Sequence, residues 1–304
     1  MLKKLALKLL PRRARDFVSV YRSHSAAHGR FPDLKHQPTF SDRMAFRRLF
    51  PQPIFAALTD KIQVRDFVRS RLGEDYLIPI YCITSDIEHF SFEDLPLSFA
   101  MKASHGCGWN EFVEDRRDVD VELLRQKARS WLTRNFYFVN RECHYRDIPA
   151  RILFEKLLTD KGRTPKDYKI HCFRKGRVLT QIVQVHSDRF DDHKVNFFTP
   201  DWIPITLDHG YPSSPAVQLT PPDNLSAMLA AADTLSDGFN YVRVDFYSFD
   251  GRIYFGEMTF TPAAGLFRFN PIEADKEWAA LFDADPSYFE GNAAHGPSLK
   301  PRYG

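Results

Sequence analysis

The chain is short of the features that would assign it quickly. Its four cysteines, Cys82, Cys107, Cys143 and Cys172, form no CxxC pair and no paired spacing, so no disulfide framework is indicated. A reducing compartment, the cytoplasm, is the expected location. Histidine and cysteine fall close together at His105 and Cys107, Cys143 and His144, and His171 and Cys172. A zinc site would need several of these to converge at tetrahedral spacing, and strand neighbours point to opposite faces, so no metal–thiolate site is expected. No GxSxG elbow supports a hydrolytic triad. No apolar run approaches the length of a membrane span. Charge of one sign is missing too. With 42 basic and 39 acidic residues the net charge is +3, too balanced to imply a nucleic-acid partner. Internal repeats and low-complexity tracts are absent.

What is present is a chain of 304 residues, 43% hydrophobic and with 27 phenylalanines, enough for one large core or a few small lobes. Residues 1–15 form a basic amphipathic segment. Leu2, Leu5 and Leu9 would share one helical stripe beside lysines, and no signal-peptide cleavage site follows. This segment either packs on the protein itself or attaches it peripherally to the inner face of an anionic membrane. Binding to anionic liposomes separates the two.

Residues 1–75 read as a helical N-terminal region. A helix is expected after Thr59 or Asp60 as cap, with Ile62, Val64, Phe67 and Val68 as its apolar face and Gly73 as its end. Strand character follows at 76–83, 97–102 and 152–158, with an amphipathic helix over 120–135. Strand pairs are expected at 168–173 with 178–186, and at 241–248 with 252–260, separated by a helix over 224–235. Alternating strands and helices argue for an α+β protein with more than one lobe.

The last strand pair carries the most chemistry. Val242, Val244 and Phe246 share one face, so Arg243 and Asp245 share the other; on the next strand Ile253, Phe255, Glu257 and Thr259 alternate together. Two carboxylates with an arginine nearby suit a Mg²⁺–polyphosphate site, because magnesium takes one or two carboxylates plus phosphate oxygens. The arginine would neutralise charge on a transferring phosphoryl group. A solvated Arg–Asp pair is the plainer alternative. Lys102 ends an apolar run before a loop with Gly106 and Gly108. Glycines there would let backbone amides approach phosphates, with the lysine as a point charge. The lysine precedes the glycines, so this is not a P-loop, and a plain surface loop is the alternative.

In this order the pieces resemble the ATP-grasp superfamily, and more narrowly its TupA-like branch, named for teichuronopeptide biosynthesis. The resemblance runs from about Asp60 to Asp283. It rests on Asp60-Lys-Ile-Gln-Val-Arg-Asp-Phe-Val68, Leu95-Pro-Leu-Ser-Phe-Ala-Met-Lys102, His105-Gly-Cys-Gly-Trp-Asn110 and Glu155-Lys-Leu-Leu158. Asp167-Tyr-Lys-Ile-His-Cys-Phe173, Arg243-Val-Asp245 and Gly256-Glu-Met-Thr-Phe-Thr-Pro262 complete it.

The resemblance implies two α+β lobes clasping ATP: a small lid lobe over 76–154 and a large lobe with the metal site over 155–285; the Gly-, Pro- and Ala-containing stretch over 286–304 reads as a flexible tail. The resemblance also implies that Lys102 holds ATP phosphates beneath a lid formed around Gly106 and Gly108. Glu155, Lys156 and Leu157 would form the hinge that recognises adenine, and Lys169 would sit near the phosphates. Asp245 and Glu257 would ligate Mg²⁺, and Arg243 would steady an acyl phosphate. Lys61 and Arg189 are further candidates for phosphate or substrate contacts. The superfamily's second metal strand usually reads Glu-x-Asn; here Glu257-Met258-Thr259 would offer a neutral hydroxyl in the last place.

The implied activity is ATP- and Mg²⁺-dependent ligation of a carboxylate to an amine through an acyl phosphate, in cell-surface polysaccharide biosynthesis. A glycosyltransferase and a non-catalytic nucleotide-binding protein are the alternatives. The metal site sets a condition on register. A plain two-residue turn at Asp250-Gly251 would leave Asp245 opposite Gly256, and Glu257 on the wrong face. A longer loop, or a bulge beside the turn, is therefore expected. It would bring Glu257 opposite Asp245 with Arg243, Tyr247, Phe255 and Thr259 on their face, in one cleft with Lys102.

Overall fold

The computed structural model describes residues 10–159, 165–187, 194–208, 213 and 219–286. Leu2, Leu5, Leu9, Arg189 and the tail beyond 286 lie outside the described residues.

The helical N-terminal region begins with α1 (Arg12–His28), α2 (Phe40–Leu49), α3 (Ile54–Thr59) and α4 (Val64–Leu72). Thr39 caps α2, its hydroxyl accepting from the Asp42 amide. Asp60 does not cap the helix after it, as the sequence suggested. It closes α3, and its carboxylate takes the Ile62 amide at 2.9 Å and the Arg151 guanidinium at 2.7 Å, so α4 starts only at Val64. Gly73 ends α4 as expected.

The smaller sheet contains β1 (Ile80–Thr84), β2 (Phe99–Ala103), β3 (Asn110–Val113) and, after α5 (Val121–Leu132) and α6 (Tyr137–Asn140), β4 (Ile152–Glu155). Its order is β1-β4-β2-β3, all antiparallel. Phe99, Met101, Ala103, Ile152 and Phe154 pack beneath Leu124, Ala128 and Trp131 of α5. Strand alternation sends Ala100, Lys102, Leu153 and Glu155 to the other face, where Ile83 and Phe112 are exposed.

The larger sheet is β10-β9-β5-β6-β7-β8, built from β5 (Asp167–Lys175), β6 (Val178–Ser187), β7 (Lys194–Phe198), β8 (Pro204–Ile205), β9 (Tyr241–Phe249) and β10 (Arg252–Thr259). Helix α7 (Leu225–Ser236) precedes β9, and α8 (Ala274–Ala280) follows the sheet. Both sheets and the helices make the molecule α+β. On one face of the larger sheet Ile170, Cys172, Val242, Val244, Phe246, Phe255 and Met258 pack against α7 and against Phe55, Leu58 and Val68 of α3 and α4. The other face is divided. Phe173 and Tyr241 lie in an aromatic cluster with Phe40, Trp278 and Phe282, while nearer β10's middle the face is charged.

Two fully buried arginines on α2 anchor this arrangement. Arg47 donates to the carbonyls of Tyr241 and Phe260, at 2.9 and 3.2 Å, and pairs with Asp285. It thereby fixes the start of β9 and the exit of β10, the two strands that carry the candidate metal ligands. Arg48 donates to the carbonyls of Asn140 and Ala264, tying α6 to the segment beyond β10.

Candidate functional site

The hairpin solves the register problem differently from the expectation. Its connection is the two-residue turn, with Asp250 and Gly251 at φ 50° and 70°, as a tight hairpin turn requires. Arg252, Ile253, Tyr254 and Phe255 pair with Phe249, Ser248, Tyr247 and Phe246; the extra residue is Gly256, and Glu257 then pairs with Asp245. The bulge thus lies inside β10 rather than beside the turn. A Cβ at Gly256 would stand 3.1 Å from the Asp245 carbonyl and 3.2 Å from the Tyr247 ring, so glycine suits this close approach. Because the bulge flips the alternation, Phe255 is not on the carboxylate face. It joins Phe246 and Met258 in the core, as does Ile253 at its edge.

Across β5, β9 and β10 the charged face is a grid. One row reads Asp167, Tyr247, Tyr254; the next Lys169, Asp245, Glu257; the third His171, Arg243, Thr259. Arg243 grips Asp245 with Nε to Oδ1 at 2.7 Å and Nη2 to Oδ2 at 2.8 Å. The same Nη2 reaches Glu257 and the Thr259 hydroxyl, each at 3.1 Å. Lys169 donates to Asp245 at 2.5 Å and pairs with Asp167 at 2.7 Å. Burial works against the Lys169 and Arg243 charges, but Asp167 and Asp245 around the lysine, and Asp245 and Glu257 around the arginine, outweigh it. Both pKa values are raised.

Oxygen donors on Asp245, Glu257 and Thr259 suit a hard cation such as Mg²⁺. Among the described residues no group of three or more His, Cys, Asp or Glu is placed to hold a metal ion. A cation between Asp245 and Glu257 therefore depends on oxygens from a ligand, and Arg243, which links the two carboxylates here, must yield that place.

Lys102 stands apart from the grid. Its ammonium pairs with Glu155 on the adjacent strand, both groups mostly buried. Glu155 and the grid are coupled through Tyr247, whose phenol is raised well above its usual pKa by burial and by the charges of Asp167, Glu257, Asp245 and Glu155. After Glu155, the Lys156 amide donates to the Pro79 carbonyl, and Leu157 is buried.

The glycine loop is coupled to the grid as well, through the charges of Glu257 and Arg243 at Cys107. Lys61 donates to the Gly106 carbonyl at 2.6 Å, so its ammonium braces the loop. A Cβ at Gly106 would lie 2.4 Å from the Trp109 ring, which accounts for glycine there. His105 is buried, with Nε2 3.0 Å from the Trp131 carbonyl. Burial and the charge of Glu257 raise the Cys107 thiol pKa, while Lys61 and Arg243 oppose them; the loop's thiol thus lies within reach of the grid.

One residue absent from the sequence reading belongs to this neighbourhood. Glu142, following α6, is 5% exposed and accepts a 2.6 Å hydrogen bond from Thr261, just beyond β10. Burial raises its pKa to about 7, and Glu257 pushes the same way. A glutamate before a short apolar turn carries no pattern of its own, and the fold alone brings it to Thr261.

The chain belongs to the TupA-like ATP-grasp family, whose model matches residues 46–283. No curated protein matches it in sequence. Among solved structures, D-alanine–D-alanine ligase from Helicobacter pylori is 11% identical with a TM-score of 0.42, over 76% of this chain and 60% of that one. D-alanine–D-alanine ligase from Bacillus anthracis is 16% identical with a TM-score of 0.38, over 67% and 56%. N5-carboxyaminoimidazole ribonucleotide synthetase from Thermus thermophilus is 15% identical with a TM-score of 0.39, over 71% and 51%. The chain spans three-fifths or less of the length of these structures. No helix among the described residues is long and apolar enough to cross a membrane.

Proposed function

We propose that the protein is an ATP- and Mg²⁺-dependent carboxylate–amine ligase that decorates a cell-surface polysaccharide or its precursor. The observation that carries this is the row Lys169, Asp245, Glu257 bound together with Arg243 on the larger sheet, beside Tyr247, which feels the charge of Glu155, the partner of Lys102. Membership of the TupA-like ATP-grasp family supports the nucleotide.

In this reading ATP lies between the sheets. Its adenine edge meets the main chain of 156–158, where the Lys156 amide is already taken by Pro79. Its base packs against the apolar face of the smaller sheet, beside Leu153 and Ile83. Lys102 leaves Glu155 for phosphate oxygens, and Lys169 faces the same phosphates. Mg²⁺, held by Asp245 and Glu257 with the Thr259 hydroxyl nearby, would neutralise charge on the polyphosphate. Arg243, released from between the carboxylates, moves its positive charge onto the transferring group. The substrate carboxylate attacks the γ-phosphorus, the bond to the β-phosphate bridging oxygen breaks, and ADP leaves. An amine then attacks the acyl carbon and phosphate departs.

Thermal-shift titrations of the full chain with ATP–Mg²⁺ and with UDP-glucose test the nucleotide, because selective binding to the native state stabilises it. Stabilisation by ATP–Mg²⁺ and not by UDP-glucose is expected. Phosphate release that rises when a carboxylic acid and an amine are both supplied distinguishes a ligase from a nucleotide binder. Stabilisation by UDP-glucose alone would replace the ligase with a glycosyltransferase.

A further inference from the structure

The hairpin, Lys102 and the loop account for a nucleotide and a carboxylate, and leave the second substrate without a binding group. Glu142, which feels the charge of Glu257, is a buried carboxylate that nothing in that scheme uses. One carboxylate oxygen, Oε1, is held by the Thr261 hydroxyl at 2.6 Å; Oε2 has no hydrogen-bond partner among the described residues. Oε2 is not among the fully buried atoms that lack a partner, so the small exposed part of this carboxylate leaves it open to a donor from outside the protein.

Its surroundings show which donor fits. The nearest cation, Arg48, forms no salt bridge with it among the described residues. That guanidinium serves the Asn140 and Ala264 carbonyls and the Ser23 hydroxyl. The remaining groups coupled to Glu142 are Glu257 on β10, the Cys107 thiol of the glycine loop and the phenol of half-buried Tyr145. The cations that act on this edge, Arg48, Lys61 and Arg243, are each held by other partners: carbonyls of Asn140 and Ala264, the Gly106 carbonyl, and Asp245. A small cation with N–H donors would therefore meet a carboxylate oxygen that no protein cation holds, within reach of the charge of Glu257.

We propose that Glu142 is the amine-receiving group: its Oε2 binds the primary ammonium of the incoming substrate and accepts a proton as that amine attacks. This rests on the ligase reading above. The ammonium gives one of its protons to Glu142, and the free amine forms the C–N bond as the C–O bond to phosphate breaks. The departing phosphate takes the second proton, and the amide keeps the third. Thr261 fixes Oε1, so the carboxylate presents a single oxygen to the substrate.

Two measurements on the full chain test this. The first needs no turnover. Iodoacetamide alkylation of Cys107, followed by peptide mass, reads the local potential. In wild type, methylammonium chloride should change the alkylation rate at least threefold relative to equal tetramethylammonium chloride, which has no N–H donors. In Glu142→Gln the two salts should act alike. Equal effects of both salts in wild type, or an unchanged difference in Glu142→Gln, would overturn the proposal whatever the enzyme's activity. The second uses turnover with ATP–Mg²⁺ and amino acids as carboxylate donors. Hydroxylamine is uncharged near neutral pH and needs no ammonium pocket, whereas methylammonium does. Glu142→Gln should lower the methylamide rate relative to the hydroxamate rate at least tenfold. A ratio equal to wild type overturns the proposal, while absence of either product in wild type instead counts against the ligase reading. A retained ATP–Mg²⁺ thermal shift in the variant shows that it is folded.

Discussion

Asp245 and Glu142 are buried to nearly the same degree, 2% and 5% exposed, and both neighbour Glu257, the first by strand pairing and the second through its charge. Their partners differ completely. Asp245 receives two hydrogen bonds from Arg243 and one from Lys169; Glu142 receives one, from a neutral hydroxyl. Asp245 is the anionic centre of a closed network whose cations are themselves buried, so the network stands or falls as a unit. Glu142 is an open position. Burial by itself therefore does not tell how a carboxylate is satisfied: Asp245 must give up cations before a ligand can reach it, whereas Glu142 has an oxygen that no protein donor holds.

The largest effect that would break this contrast is at Asp245. Asp245→Asn leaves Arg243 with only Glu257 and Thr259, and Lys169 with only Asp167. Removing one member of a buried ionic network costs about 3–5 kcal/mol, because the remaining charges stay desolvated. Urea unfolding should show a loss of that order. A loss of less than about 1 kcal/mol, the range of exposed pairs, would mean that the grid is solvated and its cations free, and the comparison with Glu142 would collapse.

At Glu142 the expected change has the opposite sign and depends on pH. The folded pKa, about 7, lies above the ordinary glutamate value near 4.5. The native state thus favours the neutral acid; that contribution is fully present below about pH 4.5 and is lost as pH rises through about 7. A shift of this size corresponds to about 3 kcal/mol. Glu142→Gln should match wild type near pH 5 and exceed it by up to about 3 kcal/mol at about pH 8. Contributions from other groups, including His144, held neutral by burial with its pKa lowered to about 3, are common to both proteins and cancel in the difference. Stability curves that stay parallel across that range would show that Glu142 is already compensated.

How much of this was readable from the chain itself differs between the two edges. The alternation of Val242, Val244 and Phe246 against Arg243 and Asp245 is a period-2 pattern, and the structure keeps it. The pairing of Glu257 with Asp245 followed from requiring both carboxylates on one face. The device that achieves it did not, although Gly256 inside a strand pattern is a recognisable bulge signal, and missing it misplaced Phe255. Glu142 had no such signal. It lies 119 residues from Thr261, and only the packing of α2 between α6 and the end of β10 brings them together.

The smallest expected effect concerns Lys102, and it tests whether the two edges of the site are independent. The sequence alone suggests that Lys102→Ala spares the fold, since phosphate would be its partner. In the structure its ammonium instead pairs with Glu155, whose side chain is 7% exposed. Truncation strands that carboxylate, at a cost of about 1–2 kcal/mol, less than at Asp245 because only one charge loses its partner. Lys102→Met combined with Glu155→Gln removes both charges and should recover most of that loss, since replacing both partners of a buried pair is close to neutral. ATP–Mg²⁺ should stabilise neither variant as it does wild type, because the phosphate cation is absent from both. The Cys107 response to methylammonium should persist in both, as the charges that act most on that thiol are those of Glu257, Lys61, Arg243 and Glu142. Should the double variant regain the full ATP–Mg²⁺ shift, Lys102 would be a structural partner of Glu155 alone. The phosphates would then have to be held by Lys169 and Arg243, at the network that Asp245 organises.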